Sequence, residues 1–245
     1  MRKASSLVCA ALLACGLLLT AACSAHNDNG ASANPDAATP AAGAEPAAAA
    51  KFTQGNEYVR IGQPAGQAAP TGRVEMVEVF SYGCPHCAEF APYMDKLREQ
   101  LPAGVEVSYM PAIFNASWVP YAQAYYAAVQ LGVFKQTHDA LFKAMLERYP
   151  LNNLQDLAAF YARHGVDQKK FLAAATNLET TRQMAADQKT ELAWGIDATP
   201  TLVVGRRASN AADAPFVAEM RSNRIDTYEQ LQQVGLWMAE NVDKE

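Results

Sequence analysis

The sequence predicts an α/β domain that contains an inserted block of helices. An apolar, β-prone run at residues 74–80 precedes a helical pattern from Ala88 to Gln100, and an alternating strand pattern follows at 105–110. The pattern then stays helical to about Trp194, and strand-like sequence resumes just after Pro200. Strand, helix and strand in this order form a βαβ unit, whose crossover we expect to be right-handed.

The N-terminus has the features of a secretory signal. Arg2 and Lys3 precede an apolar run that ends in small residues before Cys23, and this arrangement directs export. We assign residues 1–22 to a signal peptide, because the run is too short and wrongly flanked for a stable membrane span. The segment also resembles a bacterial lipoprotein signal. Lipidation of Cys23, the competing acceptor Cys15 and plain cleavage nearby all stay open.

The chain between the signal and the first strand pattern has the composition of a linker. Residues 23–50 are mostly Ala and Pro without apolar periodicity, which predicts a disordered tether. We assign 51–116 to the first half of the α/β domain and 117–193 to the helical insertion. Residues 194–245 form its second half, in which the polar stretch 206–213 predicts a turn and residues 227–242 a final helix.

The charge balance argues against a nucleic-acid partner. Removing the signal leaves 18 of the 20 basic residues against 25 acidic ones, a net charge of about −7. A mildly acidic chain without a basic cluster is poorly suited to binding a phosphate backbone. The only membrane contact that we expect is through a lipid anchor.

Only two of the five cysteines lie in the predicted domain. They are Cys84 and Cys87, directly after the central strand. Bridging them would close a very small loop and remove little chain entropy, so a structural staple is a poor explanation. Half of a zinc site is the other alternative, but zinc needs about four ligands and no second Cys/His pair has suitable spacing. Redox chemistry explains the pair better.

The position of Cys84-Pro85-His86-Cys87 at the start of a helix gives the pair its predicted reactivity. The first turn of a helix presents unpaired backbone N–H groups and the positive end of the helix dipole. Such surroundings favour the thiolate, which is the reacting form of cysteine. In an exported protein, this pattern predicts a periplasmic thiol–disulfide oxidoreductase.

Several segments together resemble the DsbA family of the thioredoxin superfamily. The run Glu78–Cys87 resembles that family's strand and active-site segment, and residues 52–58 resemble its opening strand. Thr199-Pro200 stands where the family carries a cis-proline opposite the active site. The resemblance implies a thioredoxin fold with an inserted all-helical subdomain over about residues 52–242.

The resemblance also implies a role for each residue at the active site. Cys84 would be the exposed nucleophile that forms the mixed disulfide, and Cys87 would be the buried cysteine that resolves it. His86, which follows Pro85 in the motif, would stabilise the Cys84 thiolate. Glu78 would be a buried proton acceptor for Cys87.

The substrate site and the partners follow from the same resemblance. The backbone at Thr199, next to Pro200, would pair with an extended substrate. The substrates would be reduced, unfolded secreted proteins, and a DsbB-like membrane oxidase linked to quinone would restore the disulfide. We expect a monomer without a cofactor or metal. One departure is that Ser108 and Tyr109 stand where the family often has a lysine.

Two other functions stay open at this point. A disulfide isomerase or reductase would use the same cysteines, although such relatives dimerise through an N-terminal domain where this chain has a low-complexity tether. A chaperone-like module would bind peptide segments and leave the disulfide without a role.

Overall fold

A computed structural model describes four stretches of the chain: residues 51–61, 72–208, 216–223 and 226–242. The predicted signal peptide and tether, including Cys23, lie outside the described residues and stay predictions. In the stretches that are described, no helix is both long and apolar enough to cross a membrane.

The described residues form strands and helices in nearly the predicted order. The strands are β1 (Val59–Arg60), β2 (Arg73–Phe80), β3 (Glu106–Pro111), β4 (Thr201–Arg207) and β5 (Phe216–Ser222). The helices are α1 (Pro85–Gln100), α2 (Val119–Gln130), α3 (Phe134–Leu146), α4 (Leu154–Arg163), α5 (Gln168–Thr176), α6 (Leu178–Trp194) and α7 (Tyr228–Asn241), with a 3₁₀ turn at Ala116–Trp118 before α2.

The strands form one mixed sheet in the order β1-β5-β4-β2-β3. β2 lies parallel to β3 and antiparallel to β4, and β5 lies antiparallel to both β4 and β1. Helix α1 is the crossover between the parallel strands, and α2 to α6 stand between β3 and β4. This arrangement confirms the predicted α/β class with an inserted helical block.

Strand β2 is buried from Glu75 to Phe80 because both of its faces are covered. Met76 packs on one face with Leu202 of β4 and the buried sides of α1 and α7. Val77 and Val79 pack on the other face with Ile196, which follows α6. The centre of the sheet is therefore held between two apolar layers. The cysteine motif follows shortly after the end of β2 at Phe80.

Two predicted boundaries were wrong. Helix α1 begins at Pro85 rather than Ala88, because proline is well accommodated in the first turn, where its missing N–H is not needed. The first two residues of the polar stretch 206–213, which we expected to form a turn, instead belong to β4. Arg206 lies 3.4 Å from Glu219 of β5, and Arg207 bonds to a carboxylate of β2. Partners on neighbouring strands, which a local pattern cannot show, make these arginines strand residues.

Gly205 provides a test of how closely β4 and β5 approach each other. The register between these strands shifts at Val204 and Gly205, and an added Cβ at Gly205 would overlap the Val217 carbonyl oxygen and lie 2.8 Å from the Cα of Ala218. We expect Gly205→Ala to lower the free energy of unfolding by about 2–3 kcal/mol, because backbone atoms must shift. Denaturant unfolding measures this loss.

A second glycine provides the control. An added Cβ at Gly104 meets no atom within 4 Å, although its φ is +90°. We expect Gly104→Ala to cost about 1 kcal/mol from backbone conformation alone. Equal losses in the two variants would contradict the steric argument for Gly205.

Candidate active site

The turn between β2 and α1 presents the cysteine motif. The Ser81 carbonyl accepts a 3.0 Å hydrogen bond from the Cys84 N–H, and the Ser81 hydroxyl accepts one of 3.1 Å from the Gly83 N–H. A Cβ at Gly83 would lie 2.8 Å from the ring of Tyr121 and 3.0 Å from that of Trp118. Glycine is required here because aromatic rings of the helical insertion press against the turn.

Both cysteines of the motif are free thiols at the N-terminus of α1. Cys84 is the N-cap residue, and Cys87 lies within the first turn of the helix. Cys84 is only 6% exposed, so the expectation of an exposed nucleophile is wrong for this dithiol state. The thiol of Cys84 donates a 3.4 Å hydrogen bond to the Thr199 carbonyl, which covers it from the opposite side.

The surroundings move the pKa values of the two thiols in opposite directions. A hydrogen bond from the Cys87 side chain lowers the pKa of Cys84 to about 6, against the effect of burial. The side chain of Thr199 and the backbone N–H groups of Cys87 and His86 lower it further. Burial raises the pKa of Cys87 well above its ordinary value, and the negative charges of Cys84 and Glu78 add to this effect. One sulfur is therefore suited to be a thiolate and the other a thiol.

The loop before β4 lies opposite Cys84. The peptide bond between Thr199 and Pro200 is cis, as the resemblance implied for this position. Thr199 is buried, and the hydroxyl of Thr201 donates a 2.7 Å hydrogen bond to the Ala198 carbonyl at the start of the strand. The structure therefore brings Thr199 and Pro200 together with Cys84 across 115 residues of sequence.

The two acids of β2 have very different surroundings. The Glu75 carboxylate accepts hydrogen bonds of 2.6 Å from Ser108 and 2.8 Å from Arg207, which hold its pKa below the ordinary value despite burial. Glu78 is 1% exposed, and its Oε1 atom has no hydrogen-bond partner. Burial raises the pKa of Glu78 to about 8, so Glu78 is the acid that holds a proton at neutral pH.

An arginine supplies the positive charge near Glu78. Arg98, in the last turn of α1, donates hydrogen bonds to Asp95 and to the hydroxyl of Tyr109. Tyr109 of β3 lies directly opposite Glu78 of β2 in the sheet. The charge of Arg98 counteracts part of the burial effect on the pKa of Glu78. No local pattern signals this contact, because the family's lysine would stand on β3, where this chain has Ser108 and Tyr109, whereas Arg98 lies on a helix.

The side chain of His86 is turned towards helix α7. Its imidazole is 68% exposed and its Nδ1 atom lies 2.9 Å from the hydroxyl of Tyr228. Pro85 is exposed as the first residue of α1. It is the backbone N–H of His86 that helps to lower the pKa of Cys84.

A buried aromatic pair under the motif was not predicted from the sequence as part of the site. The hydroxyl of Tyr82 and Nδ1 of His138 are 2.8 Å apart, and burial lowers the pKa of His138 to about 3. The neutral ring fills the space between the sheet and the insertion. Among the described residues, no group of three or more His, Cys, Asp or Glu side chains is arranged to hold a metal ion.

Comparison with known proteins identifies the family. The thioredoxin family model named Thioredoxin_4 matches residues 61–221. The thiol:disulfide interchange protein DsbA of Pseudomonas aeruginosa is 36% identical over 154 residues, which are 62% of this chain and 72% of that protein. The Azotobacter vinelandii DsbA is 33% identical over 162 residues, which are 66% of this chain and 75% of that protein.

Solved structures agree with these sequence relatives. The crystal structure of Pseudomonas aeruginosa DsbA has a TM-score of 0.65 at 30% identity and covers 79% of this chain and 95% of its own. The oxidoreductase DsbA of Xylella fastidiosa has a TM-score of 0.65 at 31% identity, with 78% and 97% covered. Fold, site geometry and relatives agree that the chain belongs to the DsbA family of thiol:disulfide oxidoreductases.

Proposed function

We propose that this protein is a periplasmic oxidase that donates a Cys84–Cys87 disulfide to reduced, folding secreted proteins. The observation that carries the proposal is the position of Cys84 at the N-terminus of α1 opposite Thr199, where converging hydrogen-bond donors lower its pKa to about 6. A stabilised thiolate favours the reduced form of the pair, so the corresponding disulfide readily accepts electrons. This direction favours an oxidase over a reductase.

The two cysteines have complementary roles in the proposed reaction. A substrate thiolate attacks the sulfur of Cys84, the Cys84–Cys87 bond breaks, and its electron pair leaves on Cys87, which takes a proton. A second substrate thiolate then attacks the substrate sulfur of the mixed disulfide and releases the Cys84 thiolate. Two electrons pass from the substrate, which gains the disulfide, to this protein. A low pKa makes Cys84 a good leaving group in the second step.

Glu78 is the proposed proton carrier for Cys87. A negative charge on Glu78 repels a negative charge on Cys87 and so contributes to the raised pKa of the Cys87 thiol. Glu78 is itself protonated near neutral pH because burial raises its pKa to about 8. It can supply a proton when Cys87 leaves as a thiolate, and accept the proton of Cys87 when the disulfide is made again.

The remaining parts of the site bind the substrate and complete the motif. We assign Thr199 and Pro200 to backbone pairing with an extended substrate segment, because they lie directly opposite Cys84. The backbone N–H of His86 supports the thiolate from within the motif, and Pro85 starts the helix that carries it. The thiol of Cys84 contacts the Thr199 carbonyl, so a substrate that reaches the sulfur would replace this contact.

We further propose how the protein is reoxidised and held in place. A DsbB-like membrane oxidase linked to quinone would accept the two electrons and restore the disulfide of a monomeric protein. Lipidation of Cys23 would tether the domain to a membrane through residues 24–50. Both proposals come from the sequence resemblance, and the tether lies outside the described residues.

Oxidative refolding is the central test of the function. We expect the oxidised protein to restore the activity of reduced ribonuclease, and Cys84→Ala to abolish this because no mixed disulfide can form. Full refolding activity in Cys84→Ala would instead support a chaperone-like module. A glutathione equilibrium that makes the wild-type cysteines strongly reducing would instead support a reductase.

Thiolate absorbance tests the electrostatics of the site. We expect the reduced wild-type protein to show one thiolate with a pKa of about 6. The Cys87→Ala variant should ionise at a higher pH, because the leading hydrogen-bond donor to Cys84 is lost. The Cys84→Ala variant is the control and should show no ionisation near neutral pH. A wild-type Cys84 that ionises like an ordinary cysteine would contradict the proposal.

The pH dependence of stability tests the state of Glu78. Its pKa rises from 4.5 to about 8 on folding, so the folded state holds its proton more tightly. Its contribution to stability is complete below the lower value and is lost as the pH rises towards 8. We expect Glu78→Gln to remove this loss, which is roughly 2–4 kcal/mol in the reduced protein. Urea unfolding from acid to alkaline pH measures it.

Glu99→Gln is the matched control for this measurement. Glu99 is an exposed acid in the last turn of α1, so its replacement should leave the pH profile of the wild type unchanged. If the Glu78→Gln profile also follows the wild type, then Glu78 does not change its pKa on folding.

A further inference from the structure

Helix α7 contributes a tyrosine to the edge of the active site. Tyr228 is the first residue of α7, and its position is fixed by Thr227, whose hydroxyl caps the helix by accepting a 3.1 Å hydrogen bond from the Gln230 N–H. The Tyr228 ring also packs on the rings of Phe90 and Tyr93 in α1, with centroids 6.2 Å and 5.7 Å away. The hydroxyl is therefore held on a rigid support.

The hydroxyl of Tyr228 joins two side chains of α1. It donates a 2.5 Å hydrogen bond to the Glu89 carboxylate and lies 2.9 Å from Nδ1 of His86. A carboxylate only accepts, so the hydroxyl proton belongs to the bond with Glu89. The hydroxyl oxygen must then accept from His86, which places a proton on Nδ1. The direct distance between His86 and Glu89 is 3.9 Å, too long for a hydrogen bond.

This clamp, formed by Tyr228 and Glu89, engages the Nδ1 atom of the His86 ring. Burial and the bond to Glu89 raise the pKa of Tyr228, so the hydroxyl keeps its proton and remains a donor. The negative charges of Cys84 and Cys87 add to this raised pKa of Tyr228. An imidazole that is bonded to the clamp is not free to donate a hydrogen bond from Nδ1 to the Cys84 thiolate.

We propose that Tyr228 is a positioning residue that holds the imidazole of His86 away from Cys84 and so moderates how strongly the disulfide oxidises its substrates. The contact with Tyr228 excludes a hydrogen bond from Nδ1 of His86 to the Cys84 thiolate. It must therefore oppose formation of that thiolate. Releasing the ring should favour the reduced protein and strengthen the oxidant. This inference rests on the proposed function, because it concerns the potential of the same pair of cysteines.

The glutathione equilibrium measures the effect directly. In this exchange the protein disulfide and two glutathione thiols become the protein dithiol and one glutathione disulfide. We expect Tyr228→Phe to shift the equilibrium constant roughly threefold to tenfold towards the reduced protein, the worth of one hydrogen bond. The pKa of Cys84 should fall at the same time. Tyr228→Phe keeps the ring and its packing, and a thermal melt confirms that it folds.

Tyr93→Phe is the matched control. Tyr93 belongs to the same aromatic cluster, and its hydroxyl donates a 2.9 Å hydrogen bond to the exposed Glu229. This substitution removes the same chemical group next to a carboxylate without touching His86, so the redox equilibrium should not change. An equal shift in Tyr93→Phe and Tyr228→Phe would overturn the proposal.

A double variant tests whether Tyr228 acts through His86. In a His86→Ala protein we expect Tyr228→Phe to cause no further shift, because the ring that it positions is gone. A shift that persists in this background, or one towards a weaker oxidant, would overturn the proposal. A wild-type protein that is strongly reducing would instead contradict the proposed function, so the two failures can be told apart.

The state of the imidazole gives a reading that does not depend on redox chemistry. Nitrogen chemical shifts of His86 at alkaline pH report which ring atom holds the proton. We expect the proton on Nδ1 in the wild type and a mixture of tautomers in Tyr228→Phe. A proton on Nε2 in the wild type would show that the clamp does not form.

Discussion

The site depends on how many hydrogen-bond donors converge on the sulfur of Cys84. The side chain of Cys87 is the strongest of them, and Thr199 and the first backbone N–H groups of α1 complete the set. None of these donors is a charged side chain, so the lowered pKa comes from dipoles, and the backbone N–H groups among them are already fixed before the thiolate forms. The rigidity of the turn between β2 and α1 is consequently part of the chemistry, and the close fit of Gly83 against the insertion supports it.

The parts that could be predicted from the sequence are those with local causes. The apolar run of β2, the cysteine spacing and the proline before β4 each follow from neighbours in the chain, and they sufficed to identify the fold class and the reactive pair. The final helix was also predicted from the sequence, and the hydroxyl of Thr227 at its predicted start caps it. Local sequence is sufficient wherever the backbone is the feature that matters.

The features that were missed have partners far apart in the chain. The turn expected at Arg206 is part of a strand because Glu219 lies beside it. The charge near Glu78 comes from Arg98 on a helix, and the partner of His86 is Tyr228, 142 residues away. Burial of Cys84 under Thr199 was missed for the same reason. No periodicity reports such contacts, because each one depends on how whole elements pack.

The helical insertion buries the end of β2 where the two cysteines lie. Cys84, Cys87 and Tyr82 belong to the same apolar cluster as Phe142 of α3 and Tyr161 of α4. If the insertion were absent, this end of β2 would lie open to water, and the desolvation that raises the pKa of Cys87 would weaken. The low pKa of Cys84 would survive in part, since its donors come from α1 and the loop at Thr199. The insertion therefore acts mainly on the sulfur of Cys87. The difference in pKa between the two thiols depends both on the insertion and on the α/β domain that carries α1 and Thr199.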